Sequence, residues 1–411
     1  MQTPGGFRDR GQMSWTTRRV GRFLGLERNV VLLLCAIMLI GAGEETWMRF
    51  LPKYLEVLGA SVFAIGLFDA LKTLIGALYA YPGGVLSDRW GRRRALLFFT
   101  SLSLTGYALV LLIPHWAGIL AAMFLFLAWS NLSLPASFSM VAGRLPAEKH
   151  SMGIGVQSLL RRLPVIVGPA VGGLLLDRFG IVAGVRVGVT ISIVLGALAL
   201  AVQRHYHAEE TGESTPGPAG LFPAIRRFSP DLKRLLLSDI LIRFCERIPF
   251  AWIVIHAMDH LGIPAFQVGV LISVEMIAAI VCYIPASHLA DRYGKEPFVI
   301  ATFVMFTMFP LAMLWARTFP GLLLAFAVRG LKEFGEPARK ALIIQHAPAE
   351  TRGRTIGAYY LLRDTLVTSG SFLGAALWEI GPEVNFGVAF ALGAVGTVAY
   401  SVLSRRTPAS S

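Results

Sequence analysis

Apolar residues run in blocks of about twenty along the whole chain, separated by short polar connections. Each block is long enough to cross roughly 30 Å of hydrocarbon as a helix. The blocks predict twelve membrane spans, at residues 29–51, 62–84, 95–114, 117–143, 152–176, 181–203, 234–257, 265–289, 298–316, 319–345, 354–380 and 384–403. They are numbered spans 1 to 12 below. The one extended polar stretch, RHYHAEETGESTPGPAGLFPAIRRFSPD (204–231), divides them six and six. The expected fold is an all-α membrane protein with twelve transmembrane helices in two pseudo-symmetric six-helix bundles. A tail (1–28) precedes the first bundle (29–203), the linker (204–231) joins it to the second (232–403), and a short tail (404–411) follows.

The two halves repeat one another. PGGVLSDRWGRR from Pro82 returns as PASHLADRYGKE from Pro285, so that Asp88, Arg89 and Gly91 fall on Asp291, Arg292 and Gly294, 203 positions on. Leu58, Gly59 and Gly66 match Leu261, Gly262 and Gly269 at the same offset. Further along the offset is 202: LPAEKHSMGIG (145–155) aligns with APAETRGRTIG (347–357), and Pro135, Arg161, Gly168 and Gly172 align with Pro337, Arg363, Gly370 and Gly374. A charged signature recurring at the same place in two hydrophobic halves marks an internal duplication, as in many secondary transporters. Span 1 then corresponds to span 7, 2 to 8, 4 to 10 and 5 to 11.

Composition agrees: 55% of the 411 residues are hydrophobic and 15% charged, against about 25% charged in soluble domains. The net charge of +13 is concentrated in one set of connections. Arg8, Arg10, Arg18, Arg19, Arg22 and Arg28 precede span 1; Arg89, Arg92, Arg93 and Arg94 follow span 2. Arg226, Arg227, Lys233 and Arg234 stand between spans 6 and 7, Arg352 and Arg354 after span 10, Arg405 and Arg406 after span 12. The alternate connections, such as IPHWAG after span 3, are poor in Lys and Arg. This asymmetry places both termini in the cytoplasm and lets the basic loops contact anionic lipid. It does not call for nucleic acid, for which there is no motif. The basic N-terminus leads into span 1 rather than a cleaved signal peptide, because Glu44, Glu45 and Arg49 end the run without a clear small-residue cleavage site.

The chain resembles the major facilitator superfamily over essentially its whole length. GGVLSDRWGRRRAL (83–96) is similar to the signature after that family's second helix, and SHLADRYGKE (287–296) to the weaker copy after its eighth. VGPAVGG (167–173) looks like the core of a fifth-helix motif of proton-coupled antiporters, although Pro164 stands where that motif usually has Gly. The fourth helix lacks the Arg that many proton-coupled members carry. The resemblance implies the twelve-helix fold, a multi-pass monomer of a prokaryotic inner membrane, and transport by alternating access. By resemblance and position, Asp88, Arg89, Gly91 and Arg92, with Asp291, Arg292 and Gly294, form a cytoplasmic latch. Gly168, Pro169, Gly172 and Gly173 read equally as close helix packing with a kink or as the antiporter motif.

Charge inside the spans is unevenly distributed. Spans 3, 9 and 12 carry none in their apolar stretches and span 6 only Arg186. Span 1 carries Glu44, Glu45 and Arg49; span 2, Asp69 and Lys72; span 5, Arg161 and Arg162. Span 7 carries Asp239, Arg243, Glu246 and Arg247; span 8, Glu275; span 10, Arg329, Lys332, Glu333, Glu336, Arg339 and Lys340; span 11, Arg363 and Asp364. A charge at mid-bilayer costs about 2.5–3.5 kcal/mol on the lenient scale. These groups must therefore face a shared polar interior, with spans 3, 6, 9 and 12 outside. Helical spacing lets Arg243 pair with Glu246 and Lys332 with Glu336. Glu45, Arg49, Arg243, Glu246, Lys332 and Glu336 are expected to line one water-accessible cavity. The charges are either fixed struts or groups that exchange partners and carry solute and protons. Glu45, Glu246 and Glu336 lead as proton-linked carboxylates, followed by Glu44 and Glu275.

No P-loop, GxSxG or HExxH sequence is present, so neither nucleotide-driven transport nor enzyme chemistry is expected. Cys35, Cys245 and Cys282 form no CxxC pair, and no metal or cofactor is expected. His256 and His260, spaced i,i+4, straddle the end of span 7 and read as an outer-surface contact. The expected activity is secondary transport of a small charged or zwitterionic solute, with protons as coupling ion and efflux as direction. The alternatives are proton-coupled uptake of an organic anion or sugar-like metabolite, and a non-transporting membrane sensor.

Overall fold

The computed structural model describes residues 28–133, 150–206, 226, 228–347 and 352–404. Among them all regular structure is helical. Spans 2, 5, 8 and 11 are the long unbroken helices Val62–Trp90, His150–Phe179, Ala265–Tyr293 and Arg352–Ile380. Spans 3, 6, 9 and 12 are Arg92–Leu112, Ile181–Gln203, Glu296–Trp315 and Pro382–Ser404. Among the described residues, eight helical stretches are long and apolar enough to cross a membrane, in spans 1–4, 6, 8, 9 and 12. Spans 5, 7, 10 and 11 fall short: each carries charge within its apolar stretch, and spans 7 and 10 are broken into shorter helices.

Some helices begin on a side-chain acceptor for a first free N–H group. Ser61 caps Val62–Trp90 by accepting from the Ala64 N–H at 3.2 Å, and Ser229 caps Pro230–Arg247 from the Leu232 N–H at 3.2 Å. Val62–Trp90 and Ala265–Tyr293 end at glycines with positive φ, Gly91 (+80°) and Gly294 (+92°), at the two repeated Asp-Arg turns, a conformation that only glycine adopts without strain.

Spans 1, 4, 7 and 10 are interrupted near mid-membrane. Span 1 runs as Arg28–Glu44 and resumes as a 3-10 turn, Met48–Phe50, and the helix Leu51–Val57. Span 4 breaks after Trp116–Phe126, span 7 after Pro230–Arg247, and span 10 between Phe319–Leu331 and Glu336–His346. The breaks overwind rather than melt. N–H groups of Thr46, Trp47 and Phe50, and of Lys332, Glu333 and Phe334, bond to carbonyls three residues back. These bonds keep backbone groups paired where bulk water is scarce. The twelve apolar blocks did not reveal these breaks, because overwinding leaves hydropathy unchanged.

The duplication is visible as repeated close approaches of backbone. A Cβ on Gly172 would stand 1.8 Å from the Thr46 carbonyl oxygen, and one on Gly374 would stand 2.2 Å from that of Ile248. Both members of that second pair lie 202 positions after the first. Likewise Gly66 presses on Ser371 and Ala375, and its repeat Gly269 presses on Pro169 and Ala170. Spans 5 and 11 are thus each seated on a break within their own half and on a long helix of the other. Gly168 meets Glu45 and Gly173 meets Ala265, so all three glycines of the VGPAVGG stretch lie at backbone contacts.

Candidate functional site

A cavity of about 690 Å³ lies between the halves, within the range of small-molecule sites. Its described lining comes from spans 1, 2, 4, 7 and 11 and the turn after span 7, and includes Glu44, Glu45, Arg49, Lys72, Ser130, Arg247, Phe250, Tyr360 and Asp364. No described residue of spans 3, 6, 9 or 12 lines it. Along spans 2, 4 and 11 the lining residues occupy the middle and the half nearer the repeated Asp-Arg turns. That end of the molecule is called the motif end below. A narrow recess continues the other way, sharing Met48, Arg49, Lys72 and Phe250 and adding Asp69, Glu275 and Arg329.

The end opposite the motif end is closed by contacts between the halves. Lys53 bonds to Glu56 at 2.7 Å and, across the divide, to Asp259 at 2.5 Å. Asp177 accepts the backbone N–H groups of Ala265 and Phe266, each at 2.9 Å. Deeper in, Asp69 of span 2 accepts from Arg247 of span 7 at 3.0 Å and from Ser371 of span 11 at 2.6 Å. Arg162 of span 5 pairs with Glu333 of span 10 at 3.0 Å.

The second half holds a chain of alternating charges. Asp239 pairs with Arg339 at 2.5 Å, Arg339 with Glu336 at 2.7 Å, and Glu336 with Arg243. Arg243 pairs with Glu246 at 2.8 Å, Glu246 with Lys332 at 2.7 Å, and Glu275 with Lys332 at 3.4 Å and Arg329 at 3.3 Å. Arg363 joins Asp239 at 3.3 Å to Asp364 at 2.7 Å. Five anions therefore alternate with five cations across spans 7, 8, 10 and 11. Tyr359 adds a hydroxyl to Asp239 at 3.0 Å, and Arg329 lies over the Phe309 ring at 4.9 Å. With each charge neutralised by neighbours, the chain can sit in a low-dielectric interior.

The first half is different. The Glu44 carboxylate accepts from Tyr107 of span 3 at 2.6 Å and Ser130 of span 4 at 2.7 Å. It has no basic partner among the described residues. Lys72 has no ion-pair partner among them either, and neither has Arg161, whose Nε and one Nη are buried without an acceptor. Glu45 pairs with Arg49 at 3.0 Å.

Several expectations change. Glu45 and Arg49 line the principal cavity, but Arg243 and Glu336 are not among its described lining. Glu246 and Lys332 instead face a small separate recess against Met305, Phe306 and Phe309 of span 9. The ion-pair chain draws these four side chains into the wall of the second half. Lys332 does not pair with Glu336, because the overwound turn at 332–335 breaks the helical register between them. Lys340 is exposed, outside the interior set. His256 is buried rather than on the outer surface, stacked on His260 at 5.4 Å and edge-on to Phe386 at 5.1 Å. Of the latch, Gly91 and Gly294 form the expected tight turns, and Arg89 and Arg292 are exposed. The side chains of Asp88, Arg92 and Asp291 lie outside the described residues, as do the N-terminal tail, most of the linker and residues 405–411. Tyr107 and Ser130 went unnoticed in the sequence because they are neutral. Asp177 went unnoticed because it lies just past the apolar block of span 5.

A family model described as Major Facilitator Superfamily matches residues 33–245 and again 235–411. Among curated proteins, the chain is 25% identical over 364 residues to "Multidrug resistance protein MdtG" of Enterobacter lignolyticus, covering 85% of this chain and 86% of that protein. It is 24% identical over 402 residues to the protein of the same name from Proteus mirabilis, covering 93% and 97%. Among solved structures, a mutant of the nucleoside transporter NupG superposes with a TM-score of 0.79 at 10% identity, over 91% of this chain and 99% of that one. The human organic anion transporter MFSD10 superposes with a TM-score of 0.64 at 16% identity, over 91% and 99%.

Proposed function

The chain belongs to the Major Facilitator Superfamily and is a multi-pass membrane transporter, not an enzyme; we propose that it exports a small zwitterionic organic solute in exchange for protons. The observation that carries this reading is Glu44. It faces the cavity, is nearly buried, and is held by two hydroxyls with no ion pair among the described residues. A buried charge needs compensation. For Glu44 a proton can supply it, and so can a cationic group on a solute, which makes the two competitors for one site. Competition of that kind couples their opposed movement. The multidrug-resistance relatives support the outward direction.

Lys72 supplies the complementary half. An ammonium with no ion pair among the described residues, on the same cavity wall, suits a carboxylate or phosphate on the solute, so that a zwitterion satisfies both groups. Glu45, Glu246, Glu275 and Glu336 are already neutralised by Arg or Lys. They are read as struts or as groups that respond to opening, and Glu44 takes the proton role. Asp69, Arg247, Arg162 and Glu333 join the halves and must part or exchange partners as the cavity changes sides. The basic loops support a cytoplasmic motif end, with the latch residues Asp88, Arg89, Gly91, Arg92, Asp291, Arg292 and Gly294 closing that end when the other opens. The setting is the cytoplasmic membrane of a bacterium, with a monomer as the working unit.

The test is accumulation in inside-out vesicles of a zwitterionic rhodamine carrying one carboxylate. The wild type should accumulate it only with an acid-inside gradient. Glu44→Gln should lose accumulation but keep exchange of dye down its own gradient. Gradient-driven accumulation that survives Glu44→Gln would refute the assignment.

A further inference from the structure

Asp-Arg-aromatic-Gly occurs three times in this chain, not twice. Besides Asp88-Arg89-Trp90-Gly91 and Asp291-Arg292-Tyr293-Gly294 there is Asp177-Arg178-Phe179-Gly180. All three copies end a long helix, of 29, 29 and 30 residues respectively. In all three the glycine takes positive φ: +80°, +92° and +81°. The third copy ends span 5, so it lies at the end of the molecule opposite the other two.

There the Asp177 carboxylate crosses to the other half and accepts both the Ala265 and the Phe266 N–H at 2.9 Å. The recipient helix needs it. Ala265–Tyr293 has Pro264 at its N-cap and no side-chain cap of its own, so its first N–H groups depend on an outside acceptor. An anion at that position also meets the positive end of the helix dipole. The backbones touch at the same spot, since a Cβ on Gly173 would stand 2.2 Å from the Ala265 oxygen. The related junction in the other half is built differently. There Ser61 caps span 2 from within. The acid 202 positions after Asp177, Glu379, is exposed and stands only two residues before its glycine, Gly381. The helix there ends one residue sooner after its acid, and among the described residues Glu379 makes no hydrogen bond to the start of span 2.

We propose that Asp177 is a latch on the end opposite the Asp88 and Asp291 turns: it holds that end closed in the conformation described, and its release is part of opening. Asp177 is thus a positioning residue for the transport cycle, acting through the start of span 8 and not on the solute. The proposal rests on the alternating-access reading above. It makes the closure lopsided, because among the described residues the span 5–span 8 seam carries a carboxylate cap and the related span 11–span 2 seam does not.

The test is a distance measurement by pulsed electron resonance on the full chain in lipid nanodiscs without solute. Spin labels go on Ile113→Cys and Trp315→Cys, exposed positions at that end in opposite halves. Cys35, Cys245 and Cys282 are replaced by Ala. The wild type should show mainly the short, closed distance. Asp177→Ala should raise the open-to-closed ratio about tenfold, equivalent to about 1.4 kcal/mol, Asp177→Glu should restore part of the closed population, and Glu379→Gln should change nothing. Hydrogen exchange at Ala265 and Phe266 should quicken in Asp177→Ala. Gly269→Ala, which wedges spans 5 and 8 apart, serves as the positive control. If Gly269→Ala opens that end and Asp177→Ala does not, the latch is overturned while alternating access stands. If no variant ever populates a longer distance, both fail.

Discussion

Replacing Asp239 by Asn should damage the fold rather than the coupling. Asp239 is fully buried and receives Arg339, Tyr359 and Arg363 at one end of the charge chain. Removing its charge leaves five cations against four anions in that chain. Breaking a buried pair by removing one partner costs about 3–5 kcal/mol. The lower end applies here, because Arg339 keeps Glu336 and Arg363 keeps Asp364. A loss of about 3 kcal/mol multiplies the unfolded population roughly a hundredfold. The assay is the fraction of monodisperse protein surviving a heating series in detergent, read beside transport per folded molecule. Asp239→Asn should lose much of the former and keep most of the latter. Exchanging both partners, Asp239→Leu with Arg339→Met, should recover part of the stability, since an apolar pair can replace a buried ion pair at little cost. Unchanged heat resistance in Asp239→Asn would refute the strut reading of the chain.

Two further predictions separate packing from chemistry. Gly172→Ala would push a methyl group to 1.8 Å from the Thr46 oxygen, so it should lose about 1–3 kcal/mol and slow transport by displacing the break beside Glu44. Gly357→Ala, with nothing within 4 Å of the new Cβ, should instead gain about 0.5–1 kcal/mol of helix stability; the same thermal series distinguishes them. Lys72→Met should leave stability within about 1 kcal/mol and weaken inhibition of dye transport by zwitterions relative to cations lacking a carboxylate. Equal inhibition by both classes would remove Lys72 from the solute site.

Most of the architecture was legible in the sequence because hydrophobic length and charge placement are strong constraints in lipid. The duplication read from Asp88 and Asp291, and from Gly172 and Gly374, reappears as paired backbone contacts. Spans 3, 6, 9 and 12 give the principal cavity no described lining residue, but neither do the charged spans 5, 8 and 10, while the uncharged span 4 does. What was not legible follows from two physical causes. Overwound turns in spans 1, 7 and 10 change register without changing hydropathy, so Lys332 and Glu336 were read as neighbours. And a count of charges says nothing about which are paired: Glu44 looked like one acid among many until its neighbours proved to be the hydroxyls of Tyr107 and Ser130. The third Asp-Arg-aromatic-Gly copy was legible and was hidden only by its place at the other end of a helix.

The central claim is that Glu44 is shared by proton and solute. The most direct measurement is proton release from purified protein in weakly buffered detergent solution when the zwitterionic rhodamine is added. The wild type should release up to about one proton per bound dye, and Glu44→Gln should bind dye without releasing any. Equal release by both proteins would contradict the account.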